Sequence, residues 1–310
     1  LIVVLGALNI DVMMTVGNFP KFGETVLCTD DYISRPGGKG SNQAVAAAKA
    51  DAKVAMIGKV GDDSFGRRSV KNLKSSGIWT SGIGMSESRP TGCSAVLVDS
   101  TGHNMVIAAL GANLEVTADQ VPDEILTEKN ILLASLETVY EETFDVFKRA
   151  RLNRCTTILN ASPANNIEEE ILYNVDYLII NEIESQQIAE KLRIMGTGAG
   201  ELARKFSDQF TLTCIITLEE KGAIAASKGV LYTIPTLGAA VVDSTGAGDT
   251  FCGVFAACLQ KGIGWVESMH YASAGAGLSC LGLGAQDAIP TMDDIKERLK
   301  DVRPPQKLDI

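Results

Sequence analysis

The sequence predicts an α/β fold: a Rossmann-like, mostly parallel central sheet flanked by helices, with a small β-sheet lid beside it. Three observations carry this. Short aliphatic runs alternate with helical patterns, polar side chains recur where those runs end, and two segments break the rhythm with β-prone residues and turns. Strands that alternate with helices pair in parallel through right-handed crossovers. They are buried on both faces and so read as continuous aliphatic runs.

The runs are Leu1–Leu5, Val54–Ile57, Ile131–Leu136, Thr157–Leu159, Tyr177–Ile180 and Cys214–Leu218, each aliphatic or β-branched and of strand length. Helical stretches such as Asn42–Ala50, Glu141–Arg151 and Glu184–Leu192 lie between them. After Leu218 come short strands at Ala223–Ala226 and Val230–Ile234, then Gly/Ala-rich helices following Gly248 and Glu267. Residues 12–35 carry Gly-Asn, Pro-Lys and Gly-Glu turn signals. Residues 91–109 alternate around a hairpin signal at Asp99-Ser100-Thr101-Gly102. Neither segment fits a crossover helix. Residues 1–11, 36–90 and 110–310 are therefore expected to form the core, with 12–35 and 91–109 as the lid. Gly196-Thr-Gly-Ala-Gly200 lacks a strand–turn–helix context and reads as a flexible connection.

Composition narrows the function. The chain has 310 residues, 45% hydrophobic and 21% charged, which suits a globular protein of one large or two modest domains. With 28 Lys+Arg against 38 Asp+Glu, the net charge of −10 argues against a nucleic-acid partner, which needs a basic face. A small pocket of backbone N–H groups can still hold a nucleotide phosphate. No apolar stretch approaches the ~18–20 residues of a membrane span and no basic-then-apolar leader is present, so no membrane partner is expected. The 7 cysteines include no Cys-x-x-Cys pair and there are 2 His, which speaks against zinc. Reduced thiols in a cytoplasmic protein are the expectation.

The polar residues then fall into a pattern. Asn9 and Asp11 follow the first run, Glu137 the run ending at Leu136, and Asn160 the run ending at Leu159. Asn181 and Glu184 follow Ile180, and Thr217 stands at the end of Ile215-Ile216. Open parallel sheets bind ligands beyond the carboxyl ends of their strands. One such residue is an ordinary cap or turn residue; the coincidence of several describes a polar active-site floor. Arg35-Pro-Gly-Gly-Lys-Gly-Ser-Asn42 leads into an Ala-rich helix that Ser41 or Asn42 could cap. It lacks P-loop spacing, and its Lys and Asn suit hydroxyl-rich ligands as well as phosphate. Asp243-Ser-Thr-Gly-Ala-Gly-Asp-Thr-Phe251 places Gly246 and Gly248 at a helix N-terminus, an anion-binding turn. A carboxylate there, Asp249, is electrostatically misplaced unless it takes a proton from a hydroxyl attacking a phosphoryl group.

These strings resemble the ribokinase/phosphofructokinase-B family of ATP-dependent sugar kinases over nearly the whole chain. The resemblance runs through Gly6-x-x-Asn9-x-Asp11, Phe22-Gly-Glu-Thr25, Gly37-Gly-Lys-Gly-Ser-Asn-Gln-Ala-Val-Ala46, Gly61-Asp-Asp-Ser-Phe-Gly66 and Gly111-Ala-Asn113. It continues at Asn181-x-x-Glu184, Asp243-x-Thr-Gly-Ala-Gly-Asp249 and Gly284-Ala-Gln286. It implies the ribokinase-like fold and transfer of phosphate from ATP to the 5-hydroxyl of D-ribose, a pentose. Alternatives are a sister kinase acting on deoxyribose, fructose or adenosine, and a catalytically weak sugar-binding protein.

Carried over by residue, the resemblance assigns Asn9, Asp11, Gly38, Lys39, Gly40, Asn42 and Glu137 to the sugar. Gly246, Ala247 and Gly248 form the anion hole, with Asp249 as base. Asn181, Thr217, Leu218, Glu219, Gly222, Gly248 and Ser273 fall to ATP, and Glu184 to Mg2+ through water. A monovalent cation, K+, would activate from a site at Asp243, Thr245, Ser279, Gly282, Gly284 and Ala288. The lids would pair two copies into a homodimer. Glu219 stands where relatives usually have Gly and is expected to point away from the phosphates, toward Lys221 or solvent. Ala288 stands where relatives often have Ser, which implies weaker cation activation.

Overall fold

The aliphatic runs join one large sheet because each supplies apolar side chains to both faces. The computed structural model describes residues 1–100, 104–164, 167–238 and 240–308. Its 10-stranded sheet runs Gln306–Leu308 (β14), Val230–Ile234 (β13), Ala223–Ser227 (β12), Thr213–Thr217 (β11), Tyr177–Asn181 (β10), Thr156–Asn160 (β9), Ile131–Ser135 (β8), Ile2–Leu5 (β1), Val54–Gly61 (β4) and Trp79–Ser86 (β5). From β5 to β11 neighbours are parallel; β12, β13 and β14 complete one edge antiparallel.

Helices cover both faces: Lys39–Lys49 (α1), Ser64–Ser75 (α2), Tyr140–Leu152 (α3), Glu169–Leu172 (α4), Glu182–Lys191 (α5), Ala199–Phe210 (α6), Ala247–Gln260 (α7), Trp265–Ser279 (α8) and Met292–Arg298 (α9). Strand alternation divides the core. Ile2, Val4, Leu133 and Ile179 pack with Val45, Val254, Phe255 and Met269 of α1, α7 and α8. Val3, Leu5, Leu132 and Leu178 pack with Phe147, Ile188 and Phe206 of α3, α5 and α6. Each such fully buried side chain contributes about 1.5–3 kcal/mol.

A second, 4-stranded sheet lies apart, in the order Ile33–Gly37 (β3), Asn9–Thr15 (β2), Gly92–Val98 (β6) and Asn104–Ala109 (β7). It is mixed, with β2 parallel to β6 and the outer pairs antiparallel. Its strands reach Asn9 and Gly37, so Asn9 and Asp11 sit on this sheet. The hairpin signal at Thr101-Gly102 lies outside the described residues.

Two expectations need correction. Residues 196–200 are not a plain flexible connection, because α6 begins at Ala199. Glu201 Oε2 accepts from the N–H and hydroxyl of Thr197 at 3.0 and 3.1 Å, anchoring the helix start, and Leu202, Ala203 and Phe206 bury its apolar face. Neither Ser41 nor Asn42 caps α1. The helix starts at Lys39, whose N–H is taken by the Glu137 carboxylate. Among the described residues no helix is long and apolar enough to cross a membrane. All 7 cysteines are free.

Candidate active site

Register aligns the polar floor. Ser135 pairs with Asn160, Asn160 with Ile179, and Asn181 with Thr217, so β8 to β11 end together. Facing them is α1, whose first turn meets Glu137: Lys39 N–H donates to Glu137 Oε2 at 2.8 Å. Burial pushes the Glu137 carboxyl up to about 6, more than Lys39 pulls it down. Burial alone would depress the Lys39 ammonium, but Asp249, Glu137 and Glu184 hold it above its ordinary value. Asp11, on β2, is raised by burial and by the charge of Asp249, with a hydrogen bond from Ser94 opposing. Asn9 is buried, its Oδ1 accepting from Asn113 Nδ2 at 2.8 Å. The candidate sugar residues Asp11, Lys39, Asn42 and Glu137 thus gather electrostatically or by contact around Asp249.

Asp249 lies in the first turn of α7 and is 6% exposed. Asn42 Nδ2 donates to its Oδ2 at 2.9 Å and Gln43 Nε2 to its Oδ1 at 3.0 Å. Gly246 caps the helix at φ 78, a left-handed conformation that favours glycine, and a Cβ there would meet Ala285 at 2.9 Å. Thr250 N–H makes the first helical bond, to Gly246 O, while Ala247 N–H donates to Ser244 O at 3.2 Å. The open donors of the anion turn are therefore the N–H groups of Gly246, Gly248 and Asp249 itself, and Ala247 is already partly engaged.

Asn181 and Glu184 are locked in a capping box. Asn181 Oδ1 accepts from Glu184 N–H at 2.7 Å, and Glu184 Oε2 from Asn181 N–H at 2.9 Å. That uses one of the two carboxylate oxygens. Among the described residues no group of three or more His, Cys, Asp or Glu is arranged to hold a metal. The residues therefore fit Mg2+ only as a partner of phosphate and water, not as a protein-caged ion.

The candidate cation loop packs directly on the anion turn. Asp243 Oδ1 accepts from Thr245 N–H and its Oδ2 from Gly284 N–H, both at 2.9 Å. Burial opposes its ionisation, but these donors and the charge of Arg35 hold its carboxyl below the ordinary value. The Asp243 carboxylate is an anionic oxygen donor of the kind a hard cation takes, and the Gly284 carbonyl in the same loop accepts from Ala288 N–H at 3.4 Å. The hydroxyl of Ser279 donates to Ala276 O at 2.8 Å.

In the candidate nucleotide turn, Thr217 Oγ1 donates to Ile180 O at 3.4 Å, and Leu218 N–H to Gly222 O at 2.7 Å. Glu219 is exposed at φ 52 and forms no ion pair with Lys221. Ser273 is buried, and its hydroxyl donates to Pro235 O at 2.9 Å. Gln43, Asn113 and Gln286 lie within the family-matching strings, the one signal in the sequence that points to them. A cavity of about 740 Å³ opens at the opposite, N-terminal edge of the sheet, around Arg154, Tyr177 and Trp265, and none of the candidate residues line it.

Comparison with known proteins identifies the family. The model of the pfkB family of carbohydrate kinases matches residues 1–292. The chain is 35% identical to the ribokinase of Bacillus subtilis (strain 168) over 302 residues, 96% of this chain and 99% of that one. Among solved structures it is similar to the ribokinase of Thermotoga maritima, with a TM-score of 0.90, 33% identity and coverage of 96% and 99%. It is also similar to the Arabidopsis thaliana ribokinase complexed with ribose and ATP, with a TM-score of 0.86, 26% identity and coverage of 96% and 98%. The chain belongs to the pfkB family of carbohydrate kinases and is an ATP-dependent sugar kinase.

Proposed function

We propose that this kinase transfers the γ-phosphoryl group of ATP to the 5-hydroxyl of D-ribose. The observation that carries the reading is the placement of Asp249. It is a buried carboxylate beside the open N–H groups of Gly246 and Gly248, and it faces a set of hydroxyl-binding groups on α1, β2 and the turn after β8. Phosphoryl transfer asks the protein mainly for positioning and charge stabilisation. Asn9, Asp11, Lys39, Asn42 and Glu137 hold the sugar hydroxyls. Asp249 accepts the proton of the attacking hydroxyl, and the anion turn donates to the phosphoryl oxygens. The relatives named as ribokinases, one solved with ribose and ATP, support this assignment.

Glu184, through water, and Asn181 would steady Mg2+, which would neutralise charge on the nucleotide phosphates. K+ would be held by Asp243 and the carbonyls of the 279–288 loop, supplying positive charge behind the anion turn. The exposed apolar side chains Ile33, Met105, Val106 and Ile107 on the small sheet, with Tyr32 just before it, suit pairing with a second copy.

ADP release measured with ribose, deoxyribose, fructose and adenosine tests the substrate. Ribose should give the highest kcat/KM, because a site that pairs several hydroxyls rejects an analogue lacking one by ~10⁴ or more. Comparable turnover of fructose or adenosine would move the chain to a sister activity.

A further inference from the structure

We propose that Gln43 and Gln286 are positioning residues for Asp249, fixing its carboxylate from the protein side through a buried, one-way chain of side-chain amides. The proposal rests on the reading of Asp249 as the general base.

The chain can be followed atom by atom. Asn72 Nδ2, on α2, donates to Gln286 Oε1 at 2.7 Å, and Gln286 Nε2 donates to Asn42 Oδ1 at 2.8 Å. Asn42 Nδ2 then donates to Asp249 Oδ2 at 2.9 Å. On the other side, Gln43 Nε2 donates both to Asp249 Oδ1 at 3.0 Å and to Asn160 Oδ1 at 3.1 Å. Asn160 Nδ2 is committed to the carbonyl of Ile179 at 3.0 Å.

The polarity of this chain is forced. An ionised carboxylate only accepts, whereas an amide has a donor end and an acceptor end. Asp249 therefore makes Asn42 present its nitrogen, which turns Asn42 Oδ1 toward Gln286. Gln286 must answer with its own nitrogen and offer its oxygen to Asn72. Asn160, anchored by a carbonyl, likewise shows its oxygen to Gln43. Asn72, Gln286 and Asn42 each donate toward the base, and Gln43 donates to it directly.

Gln43 shows what the arrangement is for. It is 0% exposed and its Oε1 has no hydrogen-bond partner. A buried acceptor left unpaired is costly, and native proteins keep few of them. Gln43 is retained for its two donated bonds, and being fully buried it reaches substrate only through Asp249. Uncharged clamps are needed because the charges around Asp249 compete. Asp11 from β2 and Glu137 after β8 repel it, while Lys39 from α1, itself shared with Glu137 and Glu184, attracts it. A carboxylate held only by those forces would swing with each of them, and a base misplaced by ~1 Å loses much of its effect.

A double-mutant cycle tests this. Gln43→Met and Gln286→Met are each measured for kcat and sugar KM, in the parent and in the Asp249→Asn background. Each should lower kcat about tenfold or more in the parent, and each should change kcat by less than about twofold once Asp249 is replaced. Sugar KM should stay within about threefold in Gln43→Met. Equal losses in both backgrounds would show a merely structural role and overturn the proposal, as would a parent kcat unchanged by both substitutions. If Gln43→Met does not fold, Gln286→Met, two hydrogen bonds away from the carboxylate, decides alone. Should Asp249→Asn itself keep full kcat, the base reading falls and the positioning role with it. If only the glutamine variants keep kcat, the base reading stands and the positioning role is refuted.

Discussion

Arg35, on β3 of the small sheet, donates to the carbonyl of Leu283 at 2.9 Å and pairs with Asp287 at 3.0 Å. The small sheet is thereby tied to the loop that packs on the turn before α7. Gly284 sits so close that a Cβ would lie 2.2 Å from Arg35 Nη1, its N–H holds Asp243, and Ala285 packs on Gly246. A shift of β3 has a continuous mechanical route to the anion turn.

Arg35→Met should therefore act on catalysis more than on stability. The ion pair is partly exposed and worth no more than about 1 kcal/mol. Turnover should fall roughly three- to tenfold, and the ratio of activity with K+ to activity in a large organic cation should rise, since the loop loses its own fixed cation. Steady-state rates in the two buffers check this; an unchanged ratio would mean that the guanidinium is only a surface tie.

Glu137 gives the clearest pH signature. Its folded value of about 6 lies above the ordinary 4.5, so folding disfavours the ionised form. The folded protein binds more proton than the unfolded chain between those values, and this group's contribution to stability falls as pH rises from 4.5 to 6. The full loss is on the order of 2 kcal/mol. Function moves the other way, because protonation removes the acceptor for sugar hydroxyls. Sugar KM should rise as pH drops through about 6, and Glu137→Gln should have a high KM without that limb. Denaturant titrations and KM measured across this range check both signs.

Glu219 occupies a left-handed backbone position, φ 52, that costs a side-chain-bearing residue roughly 1–2 kcal/mol. Glu219→Gly relieves that strain but frees the unfolded chain by about 0.4–1 kcal/mol. The net should be a gain of about 0–1.6 kcal/mol in chemical denaturation. Because the side chain is exposed, ATP affinity should tighten by less than tenfold; a larger gain would place the carboxylate against the phosphates.

The strands were legible because both-face burial leaves unbroken aliphatic runs, and the bounds of β10 and β13 differ from the sequence reading by one residue at most. Strand β5 was not, since Trp79-Thr-Ser-Gly-Ile-Gly-Met-Ser86 interrupts the pattern with glycine. Gly82 is there because Ile57 of β4 fills the space a Cβ would need. Helix α2 carries few buried residues, and its start is marked only by Asp63, whose Oδ1 accepts from Gly66 N–H. In the site, residue types at strand ends announced Asn160, Asn181 and Thr217. The roles of Gln43 and Gln286 were hidden because their contacts join residues more than two hundred positions apart, and an amide in an apolar helix looks the same whether it meets a carboxylate or a cap.

Outer residues of β7 give a test of assembly. Met105, Val106 and Ile107 are all exposed, and Val106 is paired with the buried Val96 of β6. Light scattering at micromolar concentration should give a dimer mass, and Val106→Asp with Ile107→Lys should give a monomer. A monomeric parent would refute pairing through the small sheet.

The two carboxylates proposed to meet the sugar, Asp249 and Asp11, should separate cleanly by kinetics. Asp249 is the one placed beside the anion turn; Asp249→Asn keeps its size and loses its ability to take a proton, and Gln43, whose Oε1 is unpartnered, can turn that oxygen to the new amide nitrogen. A general base contributes about 10²–10⁴ in rate. That loss should appear in kcat, with sugar and ATP affinities nearly unchanged. Asp11 lies on β2 and accepts hydrogen bonds, so Asp11→Asn should instead raise sugar KM roughly 10- to 100-fold, the range of a lost charge-assisted bond, and leave kcat within a few-fold. Steady-state kinetics on both variants decide between the roles. A kcat within threefold of the parent in Asp249→Asn would hand the proton to another group, and a collapse of kcat in Asp11→Asn would point to which one.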